Sequence, residues 1–342
     1  MLHLFICLLL GLSPTFLAAQ TISPEKKSIT IAVGGTENQI DKLPYAIALN
    51  KGYFLQEGLD VKSIAFGSGA KGLQALIGGG ADATQGAYEH TIRMQLKGIN
   101  LTCLGTFSRY PGNVLMIPKS KAGVIRTISD LKGKKIGVSS PGSASNNFIA
   151  QLLQREGINW QDASYIGVGI GSSAVASIRN NSELDALVNL DPAVTELTRN
   201  GDAIILADSR NEKGTKAAFN GDYLAGCVYV KTDFVKQNPG VAQAITNAMI
   251  RSMQWLKSAS IDEIIASLPP EYYKSNESVY REAISKNISA FTWDGIVTRQ
   301  AAQNVLDALA TMEPEFKTKK VNLNSTYDNS FTEVALKKYG SK

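Results

Sequence analysis

The feature that most constrains the fold is a recurring local order: a short β-branched run, a turn of small residues, then a helical stretch. SITIAVGG (28–35) reads as a strand ending in glycines. LPYAIALNKGYFLQEG (43–58) reads as a helix, with Pro44 in its first turn and Gly58 just past its end. DVKSIAF (60–66) is the next strand, GSGAKGLQALIGGG (67–80) a turn feeding a helix, and ADATQGA (81–87) a strand followed by a helix through YEHTIRMQLKG. LTCLGTF (101–107) and NVLMIPK (113–119) add two strands. The order then recurs in KKIGVSS (134–140), a helix over 143–157, SYIGVG (164–169) with SSAVASIRNN, LDALVNL (184–190) with DPAVTELTRNG, and AIILAD (203–208). YLAGCVYVKTDFV (223–235) is strand-like, and the chain beyond Asn238 is helical, with Val241, Ile245, Met249, Met253 and Leu256 near helical spacing. Strands alternating with helices predict an α/β fold of mostly parallel sheets covered on both faces. Two such blocks in 342 residues predict two lobes.

In open α/β sheets ligands sit beyond the carboxyl ends of the strands, so the strand-to-helix turns are the candidate site. They read GGTEN (34–38), FGSGAKG (66–72), TQGAYE (84–89), SSPGSAS (139–145), GIGSSA (169–174) and NLDPA (189–193). A helix N-terminus exposes unpaired N–H groups and the positive end of a dipole, and so receives an anion without a lysine. Ser143 and Ser145 suit either a ligand or ordinary N-capping, as does Asp191 before Pro192. Arg109, in SRYPG after a strand, suits a bidentate hold on an anion or a solvated loop. Tyr88 and Tyr223 suit an apolar ligand face or a core.

Other chemistry is constrained by what the chain lacks. Its histidines are His3 and His90, and its cysteines Cys7, Cys103 and Cys227, with no CxxC. A multi-histidine metal site and a redox motif fall away, any Ser-His-Asp triad would have to run through His90, and His90 itself reads as structural. GSGAKG at 67–72 has glycines at GxGxxG spacing, but it follows the second strand and no acidic residue some 20 positions on ends a strand to hold a ribose. No cofactor and no metal are expected. A net charge of +5 suits a small anionic partner and is too weak to argue for nucleic acid. Leu4 to Leu12 is apolar but too short to span a bilayer, and Ala18-Ala19 precede a polar stretch. Residues 1–19 therefore read as a secretory signal cleaved near Ala19, and the remainder as an exported chain in an oxidising compartment, with Cys103 and Cys227 as buried thiols.

YAIALNKGYFLQEGLDV, GLQALIGGGADATQGAYE, DLKGKKIGVSSPGSASNNFIAQLL and ELDALVNLDPAVTEL resemble the substrate-binding proteins of ABC importers in the nitrate/sulfonate/taurine group, which is classed with thiamine-precursor binders. The resemblance runs from about Ile29 to Leu256. It implies a two-lobed periplasmic binding protein fold, type II-like, with a cleft and a two-segment hinge near 116–122 and 220–230. Lobe 1 would comprise 28–118 plus 223–342, and lobe 2 residues 119–222. Ligand contacts carried over by position are Gly35, Thr36, Ser68, Gln85, Gly86, Ser140, Gly142, Ser143, Ala144, Ser145, Asn189 and Asp191; Tyr88 and Arg109 join them from the reading of the turns. Leu190-Asp191-Pro192 departs from the Trp-Glu-Pro of many relatives. The resemblance implies a monomeric periplasmic protein, not an enzyme, that captures a small anionic organic solute such as a sulfonate and hands it to a permease. A pyrimidine or aromatic acid is the alternative ligand, and a secreted sensor is a less favoured alternative role. A pyrimidine-forming enzyme of thiamine biosynthesis shares the fold but depends on a cysteine-rich segment that this chain lacks.

Overall fold

The computed structural model describes residues 23–180 and 183–340; the expected signal segment lies outside them. Its strands are β1 (Ser28–Val33), β2 (Asp60–Ala65), β3 (Ala83–Ala87), β4 (Leu101–Thr106), β5 (Val114–Pro118), β6 (Lys135–Val138), β7 (Ser164–Gly167), β8 (Ala186–Asn189), β9 (Ala203–Asp208) and β10 (Gly226–Lys231). They form two five-stranded sheets, β2-β1-β3-β10-β4 and β7-β6-β8-β5-β9. The predicted strands and helices are present, with one break: Gly52 adopts φ 70° and splits the first helix into Leu43–Asn50 and Tyr53–Gln56.

Each sheet is mostly parallel, as expected, with one strand reversed inside it: β1 pairs with β2 and β3, and β6 with β7 and β8, in parallel, but β10 runs antiparallel to β3 and β4, and β5 antiparallel to β8 and β9. The reason is where the chain crosses. Val114 at the start of β5 lies opposite Asn189 at the end of β8, and Gly226 at the start of β10 lies opposite Ala87 at the end of β3. Each crossing thus enters the new sheet at the carboxyl ends of its parallel strands and runs back against them. One expectation is corrected, the lobe boundary. Strand 114–118 belongs to the second sheet, so the first crossing falls between β4 and β5, not near 118. The return crossing runs between the helix Glu212–Phe219 and β10.

One apolar cluster is confined to lobe 1 (Ile31, Val33, Tyr45, Phe54, Val228, Ile245) and one to the outer side of lobe 2 (Val114, Met116, Leu187, Val194, Leu197). A third joins Tyr88, Cys103 and Tyr229 of lobe 1 to Leu115, Val138 and Phe148 of lobe 2 through Val305 and Leu309 of the helix Arg299–Met312. The C-terminal region is therefore not simply part of lobe 1: Thr311 donates to Gln151 at 2.8 Å, and the Trp160 indole donates to Met312 O at 3.3 Å. Cys103 and Cys227 are free, buried thiols on neighbouring strands.

Backbone contact sets the height of the turns. A Cβ on Gly34 would sit 3.0 Å from Gly69 Cα, and one on Gly72 would sit 3.1 Å from Gly34 Cα. Only glycine lets the β1 turn touch the backbone of helix Gly69–Ile77.

Where the lobes meet, His90 is 1% exposed and its Nδ1 shares a 2.9 Å hydrogen bond with the Tyr229 hydroxyl. Burial lowers its pKa to about 4, against the opposing pull of the Glu89 carboxylate. The native state therefore holds a neutral imidazole while the unfolded chain takes up a proton near its ordinary value of about 6.5. Stability is full above about pH 6.5 and falls as pH drops towards 4, by about 3 kcal/mol in all. Denaturant midpoints between pH 7 and 4 should show this fall, and His90→Gln should remove that component; an identical slope in the variant contradicts the assignment.

Arg210 is 6% exposed and pairs with Asp191 at 3.0 Å and Asp208 at 2.5 Å. Truncating one member of a buried pair leaves an uncompensated charge. Arg210→Ala should cost about 3 kcal/mol in urea unfolding.

Candidate functional site

The carboxyl-end turns of both sheets face one another across a cleft. Lobe 1 contributes Gly34, Asp41, Lys42, Gly86 and Glu89; lobe 2 contributes Ser139, Ser143, Ala144, Ser145, Ile170 and Leu190. The crossings contribute Pro111, Asn113, Tyr223 and Ala225.

On the lobe 2 side, Ser143 is the N-cap residue of the helix Ala144–Arg155, in extended backbone at φ −88°. Ser139 N–H donates to Ser145 Oγ at 2.9 Å, and the two hydroxyls lie 2.8 Å apart. Ser140 and Ser143 hydroxyls lie 2.9 Å apart, and Gly142, at φ 79°, donates its N–H to Asn146 Oδ1 at 3.0 Å. This network fixes the turn so that the first amides of the helix, at Ala144 and Ser145, border the cleft. Ser143 Oγ also reaches across to accept from Ala70 N–H of lobe 1 at 3.1 Å.

On the lobe 1 side, two charged groups are buried. Lys42 Nζ has a side chain 6% exposed and sits 2.9 Å from Asp41, whose other oxygen accepts from Gln39 Nε2 at 3.1 Å. Gln39 in turn accepts from Thr36 N–H at 2.7 Å. Glu89, 1% exposed, opens the helix Glu89–Leu96, where the dipole favours an acid. Its carboxylate accepts from the Tyr223 hydroxyl at 2.5 Å and from Asn147 Nδ2 of lobe 2. Burial first, and then this carboxylate, push the Tyr223 phenol well above its ordinary pKa, which keeps it a donor. Tyr223 stacks on Phe219 with ring centroids 3.9 Å apart at 25°, giving the cleft a flat apolar wall. A Cβ on Gly86 would lie 2.9 Å from the Tyr229 hydroxyl, so this floor position requires glycine.

The residues expected from sequence divide into three groups. Gly86, Ser143, Ala144 and Ser145 line the cleft. Gly35, Thr36, Gln85, Ser140, Gly142 and Asn189 lie in the turns or strand ends behind them. Among these, Thr36 Oγ1, both amide atoms of Gln85 and Asn189 Oδ1 are buried without a partner among the described residues, while Asn189 Nδ2 donates to Gly169 O at 3.1 Å. The others are used elsewhere. Ser68 caps the helix Gly69–Ile77 by accepting from Lys71 N–H at 3.4 Å. Tyr88 is fully buried with its hydroxyl 2.6 Å from Thr326. Arg109 is exposed, donates to Ser289 O at 3.1 and 3.2 Å, and borders an outer groove rather than the cleft. Asp191 Oδ1 accepts from Thr195 N–H at 2.9 Å; its Oδ2 accepts from Arg210 at 3.0 Å and Asn287 at 2.6 Å. Its helix-capping contact is therefore present, and its remaining oxygen is taken by the lobe junction. Sequence reasoning missed Lys42, Asp41, Glu89 and Asn113. Their only local signals were a lysine just before a proline-led helix and an acid in a helix's first turn.

Comparison with known proteins follows this geometry. A solved structure from Bordetella bronchiseptica RB50 is 39% identical, with a TM-score of 0.89, covering 93% of this chain and 99% of that one. A Bacillus subtilis (strain 168) protein named as an aliphatic sulfonates-binding protein is 25% identical over 313 residues, 87% of this chain and 86% of that protein. A 4-amino-5-hydroxymethyl-2-methylpyrimidine phosphate synthase of Aspergillus parasiticus is 24% identical over 284 residues, 78% of this chain and 80% of that enzyme. Binding proteins and synthases thus stand at similar distance in sequence. Residues 39–259 match the model of the family described as NMT1/THI5 like, and the chain belongs to that family.

Proposed function

We propose that this chain is an extracytoplasmic solute-binding protein that captures a small anionic organic solute between its lobes and delivers it to an ABC permease. The observation that carries the reading is the shared cleft: each lobe supplies half of its lining, so neither half-site binds well alone. A solute that contacts both halves favours closure by its differential affinity for the closed state, and lobe orientation is what a membrane partner senses. The protein acts as a monomer, consistent with a site completed within one chain. The relationship to an aliphatic sulfonates-binding protein supports a sulfonate-like head group. The Lys42 ammonium and the amides opening helix Ala144–Arg155 are the groups that would receive it. The flat Phe219–Tyr223 wall favours a second ligand class, a planar aromatic acid or pyrimidine. His90 has its Nδ1 engaged by Tyr229 and is held neutral by burial.

A thermal-unfolding panel of sulfonates, carboxylates, inorganic oxyanions and pyrimidines tests the reading on protein refolded to strip carried solute. A solute at 100 times its Kd adds about 2.7 kcal/mol, a shift of a few degrees. One stabilising class is expected; none in any class contradicts the reading. Lys42→Met should weaken binding of the anionic class at least tenfold by calorimetry, the scale of one lost charge-assisted hydrogen bond of about 1.5–3 kcal/mol. Arg109→Ala should leave affinity unchanged, because its guanidinium lies on the outer groove.

A further inference from the structure

Three charged side chains border the cleft: Asp41, Lys42 and Glu89. Asp41 and Lys42 neutralise each other at 2.9 Å. Glu89 is left with Arg93 Nη1 at 3.9 Å, and that guanidinium is committed to Glu313 at 2.5 Å. The cleft that would receive an anion thus holds a carboxylate whose nearest cation is shared with a second carboxylate. Each oxygen of Glu89 accepts one hydrogen bond, from Tyr223 and from Asn147, and a carboxylate oxygen has room for a second. A bare oxyanion seated there meets like charge at low dielectric, whereas a solute bearing an amine gains a charge-assisted bond. Asn113, 2% exposed and bordering the same cleft, has its Oδ1 unpartnered among the described residues and also awaits a donor.

We infer that Glu89 is a specificity-determining residue: it selects solutes that carry an N–H donor, best a protonated amine, beside their acidic group, and rejects bare inorganic oxyanions. The inference rests on the proposed binding role and sharpens it to zwitterionic or amino-bearing organic solutes. Glu89 has a second effect, since its bond to Asn147 ties lobe 1 to lobe 2, so the amine is read where the lobes join.

The test uses the whole exported chain and matched pairs of solutes that differ only in an amine: 2-aminoethanesulfonate with 1-propanesulfonate, 3-aminopropanoate with butanoate, and 4-aminopyrimidine with 4-methylpyrimidine, together with nitrate and sulfate. Calorimetry on the wild type should show the amino member of at least one pair binding about tenfold to a hundredfold tighter, the range of one charge-assisted hydrogen bond. Glu89→Gln keeps the size and polar contacts of the side chain and should reduce that ratio to within about twofold while strengthening nitrate or sulfate. Arg109→Ala, altered on the outer groove, should keep the ratio, and a Glu89→Gln unfolding transition coincident with the wild type separates loss of charge from loss of packing. Equal affinity within every pair in the wild type, or a ratio that survives in Glu89→Gln, overturns the inference and leaves the binding role standing. No binding of any probe to either protein overturns the binding role, and this inference with it.

Discussion

Everything in this molecule follows from where its chain changes lobe. Both crossings run from the carboxyl edge of one sheet to the carboxyl edge of the other, which forces β5 and β10 to lie antiparallel inside otherwise parallel neighbours. Because parallel sheets place their strand-to-helix turns at that same edge, the crossings pin the two sets of turns against each other. The cleft is the space left between them. The crossings also supply part of its lining, through Pro111, Asn113 and Tyr223, so the crossings and the site are not separable parts.

The joint is held by polar contacts as well as by the apolar cluster under Arg299–Met312. Asp191 of lobe 2 is tied to Asn287 through its carboxylate and accepts the Ile40 amide with its carbonyl at 3.2 Å. Glu89 of lobe 1 is tied to Asn147, and Ala70 to Ser143. These bonds span the cleft. His90 lies beside this seam, and its neutrality keeps an added positive charge away from it.

Much of the fold was legible in the sequence. β-Branched runs, small-residue turns and helix starts such as Ser143 leave local signatures, and these located the strands and the serine turn of lobe 2. Strand direction leaves none: VLMIP and GCVYVK read as apolar strands whichever way they run, so the mixed sheets and the true lobe boundary were hidden. The site was legible where it is made of backbone and illegible where it is made of charge. Arg109 and Asp191 sit in turns of the right kind, yet Ser289, Arg210 and Asn287, all distant in sequence, decide their partners. Lys42 and Glu89 look like ordinary surface charges in the sequence, yet the fold buries both.

The central claim is that the two lobes close on a solute held by both. Spin labels at the exposed positions Lys62→Cys on lobe 1 and Lys132→Cys on lobe 2 would report it, since the native thiols at Cys103 and Cys227 are buried. Pulsed dipolar distance measurements on stripped protein should give a broad distribution that includes long separations. Saturation with a stabilising solute should collapse it to a single shorter distance. An unchanged distribution with that solute bound would contradict the account.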